Sequence, residues 1–118
     1  MTTLAGVAAY KLTIRHGSRV QRERFDDLDG AMAQLCARAE EIRAEGPLDS
    51  VSAFREYGPG ARVAARLEIS TGGMFSGRDA GVDVMGDGRV VPYSGGMRKR
   101  PLEADGRSPY DVVRKAMS

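Results

Sequence analysis

"YKLTIRHGSRVQRERF", residues 10–25, decides the fold. Tyr10, Leu12, Ile14 and His16 alternate with Lys11, Thr13 and Arg15, the period of two that a strand carries when one face is buried and the other is wet. Gly17 and Ser18 then suit a tight two-residue turn of type II′, in which glycine takes the positive φ of the first central position. The chain returns as a second strand over Arg19–Phe25. In that register Arg15 faces Val20, Thr13 faces Arg22 and Lys11 faces Arg24. Lys11, Arg15, Arg22 and Arg24 therefore share one face of the ribbon, while Tyr10, Leu12, Ile14 and Phe25 take the other and are expected to meet helices. Like charges directly opposite one another are unfavourable. The pattern thus implies a counter-charge, supplied either by a partner or by acidic residues on neighbouring strands such as Glu56, Glu68, Asp83 or Glu103.

Outward from this ribbon, residues 26–47 read as a helix. Leu28, Met32, Leu35, Ala39 and Ile42 recur at spacings of three and four, which puts one apolar stripe on a helical surface. Asp26 or Asp27 supplies an N-cap, acidic groups crowd the first turn, and Gly46 with Pro47 supplies the stop. Beyond them, "VSAFREY" (51–57) and "RVAARLEIS" (62–70), separated by "GPG", read as a second hairpin. "GVDVM" (81–85) and "RVVPY" (89–93) read as a third, with Asp87 and Gly88 as a type I′ turn that sets Val84 opposite Val91 and Val82 opposite Tyr93. "SGGMRKRPLEADGR" (94–107) is a loop or an edge strand, because Pro101 cannot donate to a ladder and charges guard edges. Ser108 and Pro109 then open a short helix as N-cap and first helical residue, with Tyr110, Val113 and Met117 on its inner stripe. The expected architecture is a single α+β domain over residues 1–118, residues 1–8 forming a flexible N-terminal segment. Its antiparallel sheet has about six strands in three hairpins, two helices pack on one face, and the order is ββα-ββ-ββ-α.

Composition narrows the function classes. The formal net charge is only +2, too small by itself to mark a nucleic-acid binder. Its distribution is more informative: residues 10–25 carry Lys11, Arg15, Arg19, Arg22 and Arg24 against Glu23, a net of +4, and residues 26–45 carry a net of −4. Arginine outnumbers lysine 15 to 3, and with abundant alanine and glycine this is what a GC-rich genome writes by default. One cysteine and one histidine exclude a disulfide framework and a Cys/His zinc cluster. The lone thiol and an N-terminal apolar run ended by Lys11 lead us to expect a cytoplasmic protein that does not enter a membrane.

Catalytic motifs are absent from the pattern. Ser76 and Ser94 sit beside glycines without matching G-x-S-x-G. Asp79, Asp83 and Asp87 recur every fourth residue, but a strand and a turn account for them better than a metal does. "STGGMFSGRD" (70–79) lacks the lysine and following helix of a phosphate loop, and reads instead as a glycine-rich connection whose Met74 and Phe75 offer a binding lip. No cofactor and no metal are expected. The function expected from these residues is a non-enzymatic binding module. Its partner is anionic, a nucleic-acid backbone or an acidic protein surface, held on the sheet face bearing Lys11, Arg15, Arg22 and Arg24 and extended by Arg98, Lys99 and Arg100. The alternative expectation is a structural protein that self-associates as a homo-oligomer through its open sheet face or edge.

Overall fold

The computed structural model of the chain describes residues 10–45, 63–71, 78–95, 100–102 and 106–118, and for Arg100 and Pro101 the backbone alone. The elements are β1 (Tyr10–His16), β2 (Arg19–Phe25), α1 (Leu28–Ala44), β3 (Val63–Thr71), β4 (Asp79–Met85), β5 (Val90–Ser94), β6 (Arg100–Pro101) and α2 (Pro109–Met117). They form an α+β fold around one antiparallel sheet of spatial order β2-β1-β3-β4-β5-β6.

The first hairpin forms in the expected register, with His16 opposite Arg19, Thr13 opposite Arg22 and Lys11 opposite Arg24. Gly17 adopts φ +63° at the turn, a conformation glycine enters without a Cβ penalty. β1 then pairs on its other side with β3, Leu12 opposite Ile69 and Ile14 opposite Leu67. That pairing corrects the expected second hairpin. β3 is flanked by β1 on one side and β4 on the other; residues 51–57, expected to be its hairpin partner, lie outside the described residues. Among the described residues the order is ββα-β-ββ-β-α rather than the expected ββα-ββ-ββ-α, with a two-residue β6 at the edge.

A second correction concerns β4 and β5. Their connection is a three-residue loop, Gly86-Asp87-Gly88, closed by Gly88 N–H donating to the Met85 carbonyl (2.9 Å) and Met85 N–H to the Arg89 carbonyl (2.8 Å). Gly88 sits at φ +93°, as a type I turn followed by a left-handed bulge residue demands. The extra residue shifts the register by one, so Val84 faces Val90, Val82 faces Pro92 and Gly81 faces Tyr93. Pro92, buried and facing the helices, has no N–H to extend the β6 ladder past the bond its carbonyl accepts from Leu102 N–H.

Alternation then sorts the two faces. Leu12, Ile14, Ala65, Leu67, Ile69, Ala80, Val82 and Val84 point to one side and meet Met32, Leu35, Ala39 and Ile42 of α1 and Val113 and Met117 of α2 in a single core cluster. Both helices therefore cover the same face. Asp27 is the N-cap of α1, its Oδ1 accepting from Gly30 N–H at 2.7 Å; Ser108 caps α2, with Pro109 opening the helix. Burying each large aliphatic group of this cluster is worth about 1.5–3 kcal/mol. A like-charged pair across a solvated ribbon costs no more than about 1 kcal/mol, so burial sets the faces and the charges follow.

Gly81 is where the sheet is tightest. A Cβ built on it would lie 2.1 Å from the Leu67 carbonyl oxygen and 2.7 Å from Glu68 Cα, distances that only a backbone shift in β3 could relieve. Gly81→Ala is expected to lower unfolding stability by about 2 kcal/mol or more, read by urea denaturation; an unchanged midpoint would show that β3 and β4 do not approach as described.

Candidate anion-binding face

The face of the sheet that carries no helix presents, strand by strand, Val20, Arg22 and Arg24 of β2, Lys11, Thr13 and Arg15 of β1, Arg66, Glu68 and Ser70 of β3, Asp79, Gly81 and Asp83 of β4, and Val91 and Tyr93 of β5. Cations gather at the β2–β1 side and carboxylates at the β3–β4 side. Arg15, Arg22 and Arg24 are exposed and Lys11 is half-buried. Arg15 stands opposite Arg66 on one side and Val20 on the other, and Lys11 stands opposite Arg24.

What distinguishes these cations is the fate of their neighbours. Arg66 is held by Asp83 in a fork, Nε to Oδ1 at 2.6 Å and Nη2 to Oδ2 at 2.8 Å, and the Asp83 carboxylate strengthens the guanidinium's hold on its proton. The same guanidinium lies 4.9 Å from the centre of the Tyr93 ring. Tyr93 reaches across side-chain-free Gly81 to donate its hydroxyl to Glu68 Oε1 at 3.1 Å. Burial first, then the Glu68 charge and hydrogen bond, push the Tyr93 phenol far above the ordinary tyrosine range. On the helix-bearing face of β2, Gln21 accepts from Arg38 at 2.6 Å and Glu23 from Gln34 at 3.2 Å. Arg38 also pairs with Glu41 at 3.2 Å. By contrast, among the described residues Lys11, Arg15, Arg22 and Arg24 have no carboxylate within 4.0 Å. The counter-charge that the sequence implies is thus spent on Arg66 and Tyr93. Glu56 and Glu103 lie outside the described residues.

Between β1 and β3 the surface dips into a depression of about 180 Å³ lined by Lys11, Thr13 and Arg15 on one side and by Arg66, Glu68, Ser70 and the β4 residue Asp79 on the other. Its two rims differ in sign: on the β1 side stand cations with no ion-pair partner among the described residues, while on the β3 side Arg66 is neutralised by Asp83 and Glu68 is acidic. Positive charge is thus concentrated on the β2–β1 side and negative charge lies further across. The remaining basic residues do not join this patch in the described fold. Arg100 belongs to β6, at the edge of the sheet opposite β2, and Arg98 and Lys99 lie outside the described residues, as do Met74 and Phe75.

Sequence reasoning missed the Arg66–Asp83–Tyr93–Glu68 cluster. Its signal was present, since Arg66 and Glu68 alternate outward on β3 and Asp83 does so on β4, but reading it required knowing that β3 and β4 are neighbours and that Tyr93 lies opposite Gly81. Other chemistry is not assembled among the described residues: no group of three His, Cys, Asp or Glu side chains is placed to hold a metal ion, and no helix is long and apolar enough to cross a membrane. Burial, then the neighbouring Glu40 charge, raise the Cys36 thiol pKa, which disfavours a thiolate there. His16 lies 3.7 Å from Glu45 at the end of α1.

Compared with protein-family models, curated proteins and solved structures, the chain finds no match in any of the three.

An uncompensated pair should be a cost that can be recovered. Lys11→Glu, which replaces the cation facing Arg24, is expected to raise stability by about 0.5 kcal/mol at low salt, with the gain shrinking as salt screens the pair. Thermal unfolding at two ionic strengths measures it, and a variant less stable than the parent at low salt would mean that Lys11 already has its counter-charge.

Proposed function

We propose that this chain is a small, non-enzymatic binding module that engages an anionic partner through the β1–β2 face bearing Lys11, Arg15, Arg22 and Arg24. The observation that carries this reading is the contrast between the two faces of one strand. Gln21 and Glu23, which face α1, are bonded to Arg38 and Gln34, whereas Arg22 and Arg24, their immediate neighbours, have no ion-pair partner among the described residues, and Arg24 stands directly opposite Lys11. A ribbon that gathers like charges on one side is stabilised by a bound anion. Arginine's planar fork suits phosphate and carboxylate alike.

The test is a titration of the protein against a duplex oligonucleotide and against polyglutamate over a series of salt concentrations. Log affinity is expected to fall linearly with log salt for at least one of them. If the partner is the duplex, each substitution of Lys11, Arg15, Arg22 or Arg24 by glutamine should reduce the slope by about 1. Binding that is absent for both, or indifferent to salt, would remove this reading.

A further inference from the structure

Resting on that reading, we infer that the anionic partner is an extended acidic peptide, which adds to the sheet as a further strand along the free edge of β2. Among the described residues β2 ends the strand order, and its seven residues pair with β1 without a bulge. At the opposite edge β6 has only two residues, too few to template another strand. The Gly17–Ser18 turn makes His16 and Arg19 a hydrogen-bonded pair. Alternation then assigns the β1-directed groups of β2 to Arg19, Gln21, Glu23 and Phe25, and leaves the backbone N–H and C=O of Val20, Arg22 and Arg24 pointing outward.

Those residues with outward backbone groups are also the ones whose side chains stand on the helix-free face. A docked strand would therefore meet two kinds of recognition at the same positions: backbone hydrogen bonds from the edge, and the side chains of Val20, Arg22 and Arg24 alongside. Val20 is 42 % exposed. The complement is a strand with acidic groups at two alternate positions, spaced about 6.8 Å apart as Arg22 and Arg24 are along β2, followed by an apolar group two residues on. Such strand addition draws affinity from the main chain and selectivity from alternate side chains.

Two observations favour a peptide over nucleic acid. Bases need exposed rings to stack on; among the described aromatic residues Tyr93, on the open face, is 3 % exposed, and Tyr10 and Phe25 pack against the core on the other face. Glu68 and Asp83 also stand inboard of the cations, so a polyanion crossing the sheet would meet carboxylates, whereas a strand lying along β2 would not. The arginines also disfavour a second copy of the chain at this edge, because an antiparallel β2–β2 pair would set arginines beside arginines.

The probe is a short synthetic peptide alternating glutamate with threonine, compared with the same peptide N-methylated along one backbone edge and with a duplex oligonucleotide. The peptide is expected to bind and to slow hydrogen exchange at the Val20, Arg22 and Arg24 amides. N-methylation should weaken it by about tenfold or more through lost backbone bonds, and Arg22→Thr with Arg24→Thr by about fivefold. Equal binding of the N-methylated peptide, or binding without protection of those amides, overturns strand addition. Salt-dependent binding of the duplex alone also overturns it while leaving the anion-binding reading standing, and salt-dependent binding of neither sinks both.

Discussion

Everything in this molecule follows from the register of the β1–β2 ribbon. A two-residue turn at Gly17 and Ser18 leaves no slack, so His16 meets Arg19 and each later pair is fixed in turn. Because side chains alternate, a slip of one residue would carry Leu12 and Ile14 to the wet face and Lys11 and Arg15 into the core. The burial of Leu12 and Ile14, at 0 % and 2 % exposed, outweighs the mutual repulsion of four cations several-fold. The repulsion is therefore tolerated, and it is collected on one surface.

The rest of the sheet uses the same alternation with a different outcome. β3, β4 and β5 also turn their charged or polar residues away from the helices, yet there Arg66 finds Asp83, and Tyr93 crosses the space left by Gly81 to find Glu68. The open face is consequently divided into a self-satisfied half and an unsatisfied half. The division is one of neighbours rather than composition, since both halves carry arginine. The unsatisfied half is also the half that ends in a long, regular strand whose outer edge pairs with nothing among the described residues, so charge and backbone bonding capacity coincide along β2.

Local signals were legible in the sequence and long-range ones were not. The turn at Gly17, the caps Asp27 and Ser108, and the apolar stripes of both helices each depend on residues within a few positions of one another. Residues 86–88 misled because Gly86-Asp87-Gly88 fits either a two-residue turn or a three-residue loop, and only the left-handed Gly88 with the Met85–Arg89 bond decides between them. Alternation in β3 marked it as a strand without naming its partners. Its pairing with β1, some fifty residues earlier in the chain, follows from which strands can share the cover of α1. For the candidate site, the four clustered cations were readable from the ribbon alone, whereas their lack of counter-charge depended on where Asp83 and Glu68 had gone.

Nuclear Overhauser contacts between α-protons test the register most directly, because non-hydrogen-bonded antiparallel partners bring these protons close together. The account predicts strong cross-strand contacts between Lys11 and Arg24, Thr13 and Arg22, and Arg15 and Val20. Contacts displaced by one residue, such as Lys11 to Glu23, would divide the cations between the two faces and contradict it.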